Sequence, residues 1–193
     1  MKFNPFDNYL SLNSMFTYLK LCLVFLVFSL ILVGCQMSPS QKKANLEKAS
    51  LDWSKLNHEG LLNLQKHNLS LAKGYFDQAR TAASLCGPND IRLGITQNNL
   101  AGVYEASQEY NEAINALYKT IEIAQINKNE TLTLNAKYNL ARMMVKVGDV
   151  KMALVLYKEV IQALKSSNKA FGLNIREIYN EYYDLYNKTQ VKK

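Results

Sequence analysis

The residues most enzymes depend on are scarce in this chain of 193 amino acids. It has two histidines, His58 and His67, nine residues apart, and neither stands in an HExxH pattern or beside a His/Cys companion. A zinc site needs three or four convergent ligands, so both histidines read as surface or joint residues. There is no glycine-rich phosphate loop, no GxSxG elbow and no carboxylate pair in a recognisable framework. The sequence therefore predicts no catalysis, no metal and no cofactor. It also lacks a basic cluster interleaved with aromatics, which argues against nucleic acid as a partner.

What the chain does contain is a recurring helical pattern. In residues 94–127, GITQNNLAGVYEASQEYNEAINALYKTIEIAQIN, Leu100, Ala101 and Tyr104 give one apolar face, and Tyr110, Ala113, Leu117 and Ile121 give a second. A polar joint at Ser107, Gln108 and Glu109 separates them. The pattern recurs in residues 134–167, with Leu140, Ala141 and Met144, the joint Gly148-Asp149-Val150, then Ala153, Tyr157 and Ile161. It recurs again in 53–86, with Gly60, a joint at His67 and Asn68, then Leu69, Ala72, Phe76 and Ala79. The central alanines Ala72, Ala113 and Ala153 are 41 and 40 residues apart.

This layout resembles the tetratricopeptide repeat, with a small residue eighth, an aromatic eleventh and an alanine twentieth in 34 positions. The spacers GPNDIRL and KNETLT, with an NNLA-like start, make it similar to the long-period, kinesin-light-chain style of that repeat. The first unit departs at Glu59, where a leucine is usual, and Asn63, where an aromatic is usual. The resemblance implies an all-α fold, a right-handed superhelix of about three and a half helical hairpins over residues 46–193. After the spacer NKAFGL, residues 174–188 carry Ile175, Ile178, Tyr179, Tyr182, Leu185 and Tyr186 on one face. That position predicts a capping helix, with the four tyrosines Tyr179, Tyr182, Tyr183 and Tyr186 as an alternative partner-binding stripe.

The beginning of the chain reads differently. Lys20 precedes LCLVFLVFSLILV, residues 21–33, which would span roughly 20 Å as a helix against about 30 Å of bilayer hydrocarbon. That length fits a signal-peptide core better than a membrane span. Leu32-Val33-Gly34-Cys35 resembles the lipobox of bacterial lipoproteins, which implies lipidation of the Cys35 thiol and removal of residues 1–34. Beginning instead at Met15 would place MFTYLK before the apolar core, a more ordinary lead. Cys22 would leave with the signal peptide, Cys35 would carry lipid and Cys86 would be a lone, small apolar residue, so no disulfide is expected in the mature chain. Polar residues 36–45 read as a tether.

By resemblance to the family, the first helix of each hairpin lines a concave groove. The positions that do so are Asn57, His58 and Leu61, then Asn98, Asn99, Gly102 and Glu105, then Tyr138, Asn139, Arg142 and Lys146. A carboxamide both donates and accepts, so Asn99 and Asn139 can pair with an extended peptide backbone. Arg142 and Lys146, one turn apart, can receive a carboxylate. The alternative is that the asparagines bond neighbouring helices and the cations are solvated. The net charge of +7 becomes +6 without residues 1–34, a scattered surplus suited to anionic headgroups, wall polymers or acidic partners.

The expectation is thus a lipid-anchored, periplasm-facing adaptor for envelope proteins or peptides. If the cell has two membranes, Gln36 after Cys35, where an aspartate would commonly mean inner-membrane retention, points to the outer membrane. Lipid-anchored tetratricopeptide proteins similar in outline include pilotins of type IV pilus secretins, which are longer, with six repeats, and scaffolds of peptidoglycan-processing enzymes. A structural lipoprotein without a specific ligand is the third reading.

Overall fold

A computed structural model describes residues 38–167 and 171–190. The expected signal peptide and Cys35 lie outside the described residues. Seven α-helices make up the described chain, with no strand among them. They are α1 Pro39–Gln65, α2 Leu69–Ser84, α3 Ile91–Ala106, α4 Tyr110–Ile126, α5 Glu130–Lys146, α6 Val150–Ser166 and α7 Ile175–Gln190. Three antiparallel hairpins, α1/α2, α3/α4 and α5/α6, are followed by α7, and within the compact unit Asn45–Lys193 they stack in chain order. The fold is the helical-hairpin superhelix that the repeat pattern predicts.

Each hairpin closes on small residues. Ala72, Ala101, Ala113, Ala141 and Ala153 are all buried, as is Gly60. At Gly60 the need is steric: a Cβ there would come within 2.5 Å of Cε1 of the fully buried Phe76 on α2. Gly94 is tight as well, since its Cβ would lie 3.2 Å from Ile123 and 3.3 Å from Leu132. Leu100, Val103, Leu117, Leu140, Met143 and Val160 fill the spaces these approaches leave, each almost wholly withdrawn from water. Burial of one such side chain contributes about 1.5–3 kcal/mol.

The first helix of each hairpin ends in the same way. At the hairpin joints, His67, Gln108 and Gly148 take the left-handed conformation, with φ of 57°, 61° and 85°. The next amide bonds back five residues at each joint: Asn68 to Asn63, Glu109 to Tyr104 and Asp149 to Met144, at 2.8–2.9 Å. This is the Schellman C-cap, which satisfies carbonyls the helix leaves open. Lys128 adopts the same conformation in the second spacer, with Asn129 N–H donating to Ala124 at 2.8 Å. Helix starts are fixed by side chains at Asp90, Asn129 and Asp149, each accepting from an amide in the first turn.

Residues 39–45, which the sequence suggested as tether, are helical. The reason is a capping box that escaped notice: Ser38 Oγ accepts from Gln41 N–H at 3.2 Å while Gln41 Oε1 accepts from Ser38 N–H at 3.1 Å. Pro39 occupies the first helical position, where its missing N–H costs nothing. These first turns are exposed on all sides.

Two stability measurements check this account. Gly60→Ala gains about 1 kcal/mol of helix propensity but forces Phe76 aside, for a net loss of about 1–2 kcal/mol in denaturant unfolding. His67→Gly and Gln108→Gly relieve left-handed backbone at side-chain-bearing residues and raise stability by about 0.5–1 kcal/mol each.

Candidate functional site

The odd-numbered helices α1, α3, α5 and α7 are joined by side-chain hydrogen bonds at nearly constant sequence offset. Asn99 Nδ2 donates to Asn57 Oδ1 at 2.8 Å, and Asn139 Nδ2 donates to Asn98 Oδ1 at 3.3 Å. Arg142 pairs with Glu105 at 2.8 Å, and the Tyr138 hydroxyl donates to Glu181 Oε1 at 3.2 Å. Below them Trp53 Nε1 donates to Thr96 Oγ1 at 2.8 Å, and Thr96 donates in turn to the Arg92 carbonyl. The offsets run from 37 to 43 residues, centred on the repeat length. Equivalent turns of successive helices are thereby held side by side.

Of the groove residues named from the sequence, Asn98, Asn99, Tyr138, Asn139, Arg142 and Lys146 lie on this inner surface, and five of these six have partners across helices. Asn98, Asn99, Tyr138 and Asn139 are half-buried and bond across helices. Arg142 also bonds across helices, so its charge is already opposed by Glu105. Lys146 is exposed and has no ion pair among the described residues. Of the two alternatives for the asparagines, the inter-helix bond is present, but it occupies one group of each carboxamide. An amide has two donors and an acceptor, so hydrogen-bonding capacity remains for a ligand.

Two cavities open along this surface. One of about 170 Å³ is lined by Asn98, Asn99, Gly102, Glu105, Asn139 and Met143. Gly102 keeps it open, because only Leu64 stands near the Cβ position, at 3.5 Å. The other, about 340 Å³, is lined by Arg142, Lys146, Tyr157, Glu181, Asp184 and Lys188. Sequence reasoning missed Glu181 and Lys188, since both belong to a helix read as a cap. The signal available was the offset: Glu181 follows Tyr138 by 43 residues, close to the repeat period.

Glu181 fixes α7 to the third hairpin. Its two oxygens accept from Tyr138 and Tyr157, the latter at 2.9 Å, beside the fully buried Ile178. Burial pushes the Tyr138 hydroxyl up to about 12, with the Glu181 charge adding to the effect. Burial and the bond to Glu181 push Tyr157 up further. Tyr179 and Tyr182 pack against the core, while Tyr183 and Tyr186 are exposed, so α7 caps with one side and presents tyrosines on the other. Tyr179–Tyr183 and Tyr182–Tyr186 stack at 5.8 and 6.1 Å between ring centroids.

His58 and His67 are exposed, and among the described residues no group of three His, Cys, Asp or Glu is placed to hold a metal. Cys86 is half-buried and makes no disulfide among the described residues. No described helix is long and apolar enough to cross a membrane.

Stacked hairpins with an inner face of bondable side chains define a helical-repeat scaffold of the protein-binding type. A family model for the tetratricopeptide repeat matches residues 54–126 and 92–166, and the chain belongs to that family. Among solved structures it is similar to the N-terminal domain of stress-induced protein-1 (STI-1) from C. elegans, with 16% identity and a TM-score of 0.55. That match covers 74% of this chain and 98% of the other, and at that identity the likeness is one of fold. No curated protein matches the chain in sequence.

The tyrosine pair generates a pH prediction. A hydroxyl whose folded value lies above its ordinary value of about 10 contributes stability that is complete below that value and lost as pH rises through the folded one. Docking of α7 should weaken progressively from about pH 10 to 12, followed by tyrosinate absorbance and circular dichroism. Tyr157→Phe should reduce that alkaline loss, and at neutral pH should cost about 1.5 kcal/mol, the lower end for bonds to a charged group because Glu181 retains contact with water.

Proposed function

We propose that this protein is a lipid-anchored adaptor of a bacterial envelope, binding an extended peptide segment of its partner along the inner surface of α3 and α5. The observation that carries the reading is the cavity lined by Asn98, Asn99 and Asn139, whose carboxamides are held in fixed orientation yet keep groups to spare. Pre-orientation matters because a side chain already immobilised loses little further entropy on binding. The exposed Lys146 at the next turn, which has no ion pair among the described residues, supplies the cation for an acidic side chain or carboxylate, in place of the neutralised Arg142. As a tetratricopeptide protein the chain is a protein-interaction scaffold. The anchor through Cys35, the periplasmic side, the outer-membrane location implied by Gln36 and a role in type IV pilus secretin assembly rest on the lipobox and on likeness of outline.

The test is crosslinking followed by affinity capture from membranes, comparing intact protein with Lys146→Glu and with the double variant Asn99→Ala, Asn139→Ala. Thermal unfolding of each variant runs alongside, because the double variant also loses two inter-helix bonds. One envelope protein recovered by intact protein and lost from both folded variants supports the groove. Recovery of a secretin supports the pilus role, whereas recovery of a hydrolase or synthase makes the protein a wall-enzyme scaffold. Equal recovery from all three forms excludes the inner surface as the binding site.

A further inference from the structure

The first hairpin has a second surface, turned away from the inner face. Lys48, Asp52, Lys55 and Glu59 fall at i, i+4, i+7 and i+11 of α1, so they form one stripe along the helix. The first three are exposed, Glu59 is half-buried, and none makes an ion pair among the described residues. Leu51 lies on one flank of the stripe, three residues after Lys48 and four before Lys55, and is 72% exposed. Beside it α1 and α2 enclose a cavity of about 790 Å³ lined by Asp52, Lys55, Leu56, Glu59, Tyr75 and Leu85, with Leu85 68% exposed. Leu51 and Leu85 are the two most exposed large apolar side chains in the described chain. The opposite side of α1 is already used: Trp53 and Asn57 bond α3, and Gly60 packs on Phe76 of α2.

The order of charge along the stripe names the occupant. It runs positive, negative, positive, negative, and in reverse it runs negative, positive, negative, positive. A second α1 laid antiparallel, with the two-fold axis between Trp53 and Ser54, sets Lys48 against Glu59 of the second copy and Asp52 against Lys55 of the second copy. Each of these pairs occurs twice by symmetry, and Leu51 and Leu56 flank the charged stripe on its two sides. A parallel arrangement would instead set like charge on like. We infer that this face of α1 and α2 is a two-fold, antiparallel interface between two copies of this chain. An isologous contact requires self-complementarity of this kind. Leu51 on one flank of the stripe and Leu56 and Leu85 on the other supply the attraction, while the charges, individually weak at a surface, select the antiparallel direction.

The test measures the mass of the full-length protein in detergent by light scattering and sedimentation across a dilution series. The wild type should pass from dimer to monomer on dilution. Lys55→Glu places an acidic group opposite Asp52 of the second copy, twice by symmetry, and should weaken the dimer by roughly tenfold or more. The double swap Asp52→Lys, Lys55→Glu reverses both members of each central pair and should recover it. Lys48→Glu, at an exposed position at the end of the stripe, should weaken the dimer in the same direction without touching the hairpin core. A monomer at every concentration overturns the inference, as does a dimer indifferent to Lys55→Glu or a double swap that fails to recover association. A stoichiometric complex with a different protein, lost on Lys55→Glu, would assign the face to that partner and overturn the second copy as occupant.

Discussion

Close approach between helix backbones is the constraint on which the structure depends. Hairpins of this kind bury their apolar faces only if the crossing points carry small side chains, and Gly60, Ala72, Ala101, Ala113, Ala141 and Ala153 supply them. Once the backbones are close, the larger side chains Phe76, Leu100, Leu117 and Leu140 have defined spaces to fill. The same proximity brings equivalent positions of successive odd-numbered helices within hydrogen-bond reach. The inner surface is therefore a product of the packing as much as of the side chains displayed on it.

That origin explains why the asparagines are both structural and available. A carboxamide that bonds its neighbour one repeat away is fixed in rotamer and direction, and it keeps hydrogen-bonding capacity for the peptide proposed as its ligand. Structural and binding roles, which looked like competing explanations in the sequence, are compatible at the same residue. Arg142 illustrates the opposite outcome. Its guanidinium is committed to Glu105 and stacks 6.0 Å above the Tyr138 ring, which leaves Lys146 as the more available cation on that helix.

The fold was legible because the determinants are periodic. Alanines at 41- and 40-residue intervals and apolar positions at helical spacing locate the hairpins, and the joints at His67, Gln108 and Gly148 follow the same period. What was harder to read depended on single local bonds. The early start of α1 comes from the reciprocal Ser38–Gln41 cap, a four-residue signal set in a polar stretch. The pairing of Arg142 with Glu105 crosses 37 residues, so neither residue alone announces it. Gly148 marks its own left-handed turn in the sequence, whereas His67 and Gln108 adopt that conformation because the surrounding C-cap bonds require it.

The chemistry of the cross-helix bonds has a consequence for how the array responds to its surroundings. Amides neither titrate nor carry charge, so the contacts at Asn57–Asn99, between α1 and α3, and at Asn98–Asn139, between α3 and α5, are themselves indifferent to acidity and ionic strength. Ionised groups enter further along, at Glu105–Arg142 and at Glu181. The superhelix thus combines a stretch whose curvature is buffered against its medium with a terminal stretch that can adjust to it. For a scaffold facing an environment of variable salt and pH, shape is conserved at one end and tunable at the other.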